Sequence, residues 1–195
     1  MTRALPLVLI IALLLAFRAA GALFPEHMPV NFQPLMAVFF CGALLARSWN
    51  GFAIPAGVWL ATYPLGVGPM DSFTTFASTL ISFGLVYLLG QQLAKKGMIA
   101  MLLGSIAGAA LFHFVTCSVA WSSGFWADSS RYPMSLTGLW QSIWLGAPGD
   151  ILPSWVFFRN LAAANFLFTA VFIAARLRMP LEPVFSAKQD LAEAP

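Results

Sequence analysis

Ionisable residues are scarce in this chain. They fall in the gaps between six apolar segments, and the basic ones gather in every second gap. Arg3 precedes the first segment, Arg47 follows the second, Lys95 and Lys96 follow the fourth, and Arg176, Arg178 and Lys188 follow the sixth. The intervening gaps hold Glu26, then Asp71, then Asp128 and Asp150, with Arg131 and Arg159 as basic exceptions. Lysine and arginine in short loops stay on the cytoplasmic side. The alternation therefore predicts an all-α, polytopic membrane protein with six transmembrane helices and both termini in the cytoplasm. It also makes the face carrying the acids, the exceptions and most of the tryptophans the outer one.

The predicted spans are about 4–23, 33–46, 52–67, 73–94, 98–120 and 156–177, against roughly 20 residues needed to cross the hydrocarbon. Spans two and three are short and carry Pro34, Pro55 and Pro64. Broken backbone is not tolerated facing lipid, so these two should be shielded by neighbours and sit beside a protein-lined cavity. With 60% hydrophobic and 9% charged residues, the chain lies far from soluble domains, which are about 25% charged. Despite a pI near 9.2, the basic residues are too scattered to track phosphates, so no nucleic-acid partner is expected. Residues 1–179 read as one transmembrane domain, and 180–195, with Pro180, Pro183 and Pro195, as a short disordered cytoplasmic tail. Arg3, the run 4–17 and Ala20-Gly21-Ala22 have the shape of a secretory signal, but Arg18 interrupts it, and retention as a first helix is the better reading. Cys41 and Cys117 lie inside apolar segments and read as free thiols rather than a disulfide.

Small residues recur every four positions: Ala12, Ala16 and Ala20 on the first span, Ala100, Gly104 and Gly108 on the fifth. This spacing lets helices approach closely in lipid. On the fifth span it predicts packing within the chain; on the first, packing or the docking of a partner membrane protein. The outer loop 121–155 holds five of the seven tryptophans. Within it Leu136, Leu139, Trp140, Ile143 and Trp144 follow one helical face, between Pro133 and Gly146 with Pro148. An amphipathic outer-loop helix is expected, as an interfacial aromatic belt, a lid over an outward pocket, or both.

No phosphate-binding loop, HExxH, GxSxG or paired CxxC is present, so no catalytic role is expected and this chain alone cannot hydrolyse ATP. Arg18 is the most costly residue, a charge within a span near its outer end. It either serves a ligand or an ion pair, with Glu26 or Asp71 as candidates, or snorkels to the interface. His113 and Cys117 share a helix face with Thr116 beside them. Two ligands do not make a metal site, and a hydrogen-bonded core histidine is the simpler reading. Asn31 and Gln33, between Pro29 and Pro34, suit either recognition of a polar ligand or helix capping. Asn160 and Asn165, beside Arg159, do not share one face, so at least one should bind a neighbouring helix.

The stretches PVNFQPLMAVFFCGALLAR (29–47), FHFVTCSVAW (112–121), RYPMSLTGLW (131–140) and FRNLAAANFLFTAVF (158–172) resemble a bacterial family of small integral membrane proteins known as a domain of unknown function. Its members look like the substrate-binding S-components of energy-coupling factor (ECF) transporters, and the resemblance covers nearly the whole chain. Three positions depart from the family pattern: Cys117 where asparagine is common, Thr62 in place of an acid, and Asn165 in place of an aspartate. A weaker similarity is to solitary cobalamin S-components. The loop VGPMDSFTTF (67–76), however, lacks the cysteine that would ligate cobalt.

The resemblance implies an S-component-like bundle in the bacterial cytoplasmic (inner) membrane. It would bind a small vitamin-like or cofactor-related molecule from the outer side and release it by toppling or rocking. A pocket is expected to draw on Arg18, Asn31, Gln33, Trp59, Tyr63, His113, Thr116, Trp121, Tyr132 and Arg159. Ala12, Ala16 and Ala20 would face a transmembrane coupling protein, itself joined to an ATPase module, and no resident cofactor or metal is expected. Two rival expectations stand beside this one: a scaffold membrane protein with a filled core and a protein partner, and a membrane enzyme using His113 with Asp71 or Asp128.

Overall fold

The structure, a computed structural model, describes residues 5–45, 50–66, 73–125 and 131–178. Among them all regular structure is helical: α1 (Leu5–Leu23), α2 (Leu35–Phe40), α3 (Gly42–Leu45), α4 (Asn50–Gly66), α5 (Phe73–Ala94), α6 (Met98–Ser122), α7 (Leu136–Trp144) and α8 (Ser154–Arg178). Three helices are long and apolar enough to cross a membrane, at Phe73–Ala94, Met98–Ser122 and Ser154–Arg176. At 1.5 Å per residue, the 19 residues of α1 reach about 28 Å and the 17 of α4 about 25 Å.

The segment expected as one short span over 33–46 is instead two helices that part at Cys41. Residues 35–45 rise only about 16 Å, half of a bilayer. Every residue of α2 is buried, so its broken backbone meets protein rather than lipid, as the prolines and shortness of this segment required. α4, by contrast, runs through Pro55 and Pro64 as one helix.

α2 is wedged among α4, α5, α6 and α8. Its Phe39 ring stacks on Phe83 of α5 with centroids 4.3 Å apart, and Phe83 in turn meets Phe112 of α6 and Trp59 of α4. Such ring pairs contribute about 0.5–1.5 kcal/mol each beyond their buried area. Phe40 fits because three glycines make room for it. A Cβ at Gly90 would lie 1.9 Å from the Phe40 carbonyl oxygen, and the ring lies against Gly104 and Gly108. Of the small residues expected to serve packing within the chain, Gly104 and Gly108 therefore do so. The same helix is tied to α8 by the Asn165 Nδ2, which donates to the Ser105 carbonyl, so Asn165 is the expected interhelical glue.

The amphipathic helix read from the sequence is α7. Ser135 caps it, its Oγ accepting from the Gly138 N–H at 3.2 Å. Gly146, with φ +84°, takes the left-handed turn that follows its end. Leu136, Trp140 and Trp144 lie on its exposed side, and Gly138 and Ser142 are buried.

Candidate functional site

Three of the residues singled out in the sequence come together at one cavity. α1 ends, the turns of residues 25–33 cross, and α8 begins around a space of about 280 Å³. Phe17, Phe32 and Phe157 give it an apolar wall, and Arg18, Asn31 and Gln33 supply the polar groups. A few polar groups placed in a mostly apolar concavity is the usual composition of a small-molecule site.

Arg18 is 6% exposed. Its Nε donates to Thr62 Oγ1 and its Nη2 to the Thr62 carbonyl, both at 3.0 Å, which ties α1 to α4. The Thr62 hydroxyl donates its own hydrogen bond to the Val58 carbonyl at 2.7 Å, leaving a lone pair for the guanidinium. Neither sequence-proposed counter-ion is seen to pair with it. Glu26 is exposed and makes no ion pair among the described residues, and Asp71 lies outside them. Asn31 adopts φ +59°, the left-handed conformation that asparagine tolerates better than most residues. The Asn31 and Gln33 side-chain amides have no hydrogen-bond partner among the described residues.

The other candidates lie elsewhere. Trp59 and Tyr63 form an aromatic cluster with Phe76, the Trp59 ring stacked on Phe76 at 5.2 Å and Tyr63 edge-on to Trp59. His113, Trp121 and Tyr132 fasten the loop that carries α7. The His113 Nε2 lies 2.8 Å from the Ile143 carbonyl, a pairing that requires this nitrogen to donate. Trp121 Nε1 donates to the Pro133 carbonyl at 3.0 Å, and Ser142 Oγ donates to the Cys117 carbonyl at 2.7 Å. Tyr132 is buried against the same group. That burial pushes its phenol above the ordinary tyrosine value, while a hydrogen bond with Ser142 pulls it back. Among the described residues Thr116 bonds only to the carbonyls of Phe112 and His113 on its own helix.

Cys117 Sγ sits 3.7 Å from the His113 ring, but no group of three or more metal-ligating side chains occurs among the described residues. Of the two basic exceptions in the outer gaps, Arg131 pairs with Asp150. Arg159 bonds Asn160 Oδ1 and lies with its guanidinium 5.1 Å from the Trp155 ring centroid. Asn160 then donates to the Val30 carbonyl at 3.0 Å and so steadies a residue of the cavity wall. At the far end of the bundle Leu44, Met98, Met101 and Arg176 line a smaller space of about 130 Å³.

Sequence reasoning missed the part played by Thr62, which figured there only as a departure from an acidic pattern. It also missed the Phe17 and Phe157 walls, which are indistinguishable in sequence from any other apolar span residue. The chain belongs to the family of unknown function DUF6580, whose family model matches residues 1–181. No curated protein and no solved structure matches it.

Proposed function

We propose that this member of DUF6580 is a six-span, S-component-like protein of the bacterial inner membrane. In this reading it binds a small vitamin-like or cofactor-related molecule from the outer side and translocates it. The single observation that supports the reading is the cavity where α1, residues 25–33 and α8 converge, with aromatic walls and the polar groups of Arg18, Asn31 and Gln33. The six-span arrangement adds α1, the α2–α3 pair and α4 to the three helices of full membrane length. Ala12 and Ala16 lie exposed on α1 and Ala20 half-buried, which suits the approach of a transmembrane coupling protein and, through it, an ATPase module. Mass spectrometry of molecules retained by the purified protein, with thermal shifts against a vitamin panel, tests the proposal. Retained or stabilising compounds whose effect disappears on filling the cavity with Gly21→Trp support it. An empty protein indifferent to the whole panel overturns it.

One observation favours a scaffold role instead. The centre of the bundle is filled by Phe39, Phe40, Phe83 and Phe112 rather than hollow. Crosslinking in membranes followed by mass spectrometry separates the two: a stoichiometric protein partner without any bound small molecule supports the scaffold. The enzyme reading gains no such support, because the His113 Nε2 is engaged by a backbone carbonyl.

A further inference from the structure

Among the described residues the cavity holds a cation with no carboxylate to match it. Arg18 is buried, lines the space, and among the described residues bonds only the hydroxyl and carbonyl of Thr62. No aspartate or glutamate is among the described lining residues. Taking a guanidinium out of water costs several kcal/mol, and two neutral acceptors return only part of that. Nε and Nη2 are committed to Thr62, which fixes the plane of the group and leaves the remaining N–H donors of the five for other partners. Snorkelling does not account for the position, since the side chain is held against α4 by two bonds. Exposed Asn31 and half-buried Gln33 line the same cavity with amides that have no partner among the described residues, and both can donate. Phe17, Phe32 and Phe157 supply apolar surface next to these donors.

We infer that the ligand of this cavity carries an anionic group, a carboxylate or phosphate, received by Arg18 with amide support from Asn31 and Gln33, and that its body is a compact apolar or aromatic moiety. The inference rests on the cavity being a binding site at all, and it adds the charge of what is bound. An arginine already planar and held in place loses little freedom on accepting an anion, and in a low-dielectric wall the attraction is strong. The same chemistry occurs in a soluble metabolite and in the headgroup of an anionic lipid, so the test includes both sources.

The experiment uses the full chain in phospholipid-free detergent. Binding is measured by calorimetry with benzoate, phenyl phosphate, the neutral isostere benzamide, and a short-chain phosphatidylglycerol as the lipid probe. We expect at least one anionic probe to bind about tenfold or more tightly than benzamide. We also expect Arg18→Gln to remove about tenfold of that affinity and Arg18→Lys to retain part of it. Preference for benzoate or phenyl phosphate assigns a soluble anion, and preference for phosphatidylglycerol a lipid headgroup; either supports the proposal. Should Arg18→Gln fail to fold, the comparison of the three anionic probes with benzamide on the unaltered protein decides alone. Binding of every anionic probe no tighter than that of benzamide, or anion binding indifferent to Arg18→Gln, overturns the anionic ligand while leaving a neutral-ligand site. Absence of binding by every probe, charged or neutral, overturns both.

Discussion

The carbonyl oxygen of Phe40 occupies the place where a side chain at Gly90 would begin, 1.9 Å from an ideal Cβ there. A backbone oxygen cannot rotate aside as a side chain can. Gly90→Ala should therefore push α2 away from α5 and cost about 1–3 kcal/mol. Gly84 lies on the same helix with nothing near its Cβ direction, so Gly84→Ala should be neutral or stabilising by up to about 1 kcal/mol. Thermal denaturation of the two variants in one detergent checks the pair, and equal midpoints would show that the wedge is not tight.

The His113 side chain spans from α6 to the Ile143 carbonyl in α7. His113→Phe keeps the ring volume and removes the donor, leaving that carbonyl unmatched. Amide exchange in residues 136–144 should quicken by about fivefold, corresponding to roughly 1 kcal/mol, with His113→Gln nearer the unaltered protein. Unchanged exchange in both variants would mean that α7 is held by its other contacts.

Tyr132 gives the loop that carries α7 a dependence on alkaline pH. Burial holds its phenol above the ordinary value near 10, so the folded loop retains this proton where the unfolded chain releases it. The associated stability is complete below the ordinary tyrosine value and is lost as pH rises beyond it. Absorbance at the phenolate band should show a late-titrating component that Tyr132→Phe removes. A phenolate titration that keeps its shape in Tyr132→Phe would contradict this.

Leu136 at 84% exposure and Trp140 at 60% present an apolar edge on α7, continued by Ile151 at 97%. Under the proposed membrane-spanning arrangement that edge belongs at headgroup depth, where tryptophan is favoured. Lipids brominated near the headgroup should quench Trp140 more than lipids brominated at the chain terminus. The difference should shrink in Trp140→Phe. Quenching without depth preference would place α7 away from the bilayer surface.

Much of this arrangement was legible in the sequence, where the signal was local. α7 announced itself through Pro133, the apolar face from Leu136 to Trp144 and the Gly146 turn, because caps and periodicity act over a few residues. The half-length of α2 was not legible. Gly42 is the sole mark of an interruption around Phe40 and Cys41, and an isolated glycine is common within membrane helices, while the neighbours Gly90, Gly104 and Gly108 are brought up by other helices. The site divides in the same way. Asn31 and Gln33 stood out as amides between prolines, and Arg18 as a charge within an apolar run. That Arg18 is held by Thr62, 44 positions away, and that His113 meets Ile143, 30 positions away, are pairings no local pattern carries. Asp71 and Asp128, also weighed from the sequence, lie outside the described residues.

The buried α2 has a mechanical consequence. Gln33, at the cavity wall, is followed within two residues by the first residue of α2, whose Phe39 lies flat against Phe83, and Phe83 in turn meets Trp59 and Phe112. The space beside α2 is therefore taken by backbone and interlocked rings rather than by one side chain that can swing away. Opening a way along α2 takes a movement of whole helices, not the turn of a rotamer.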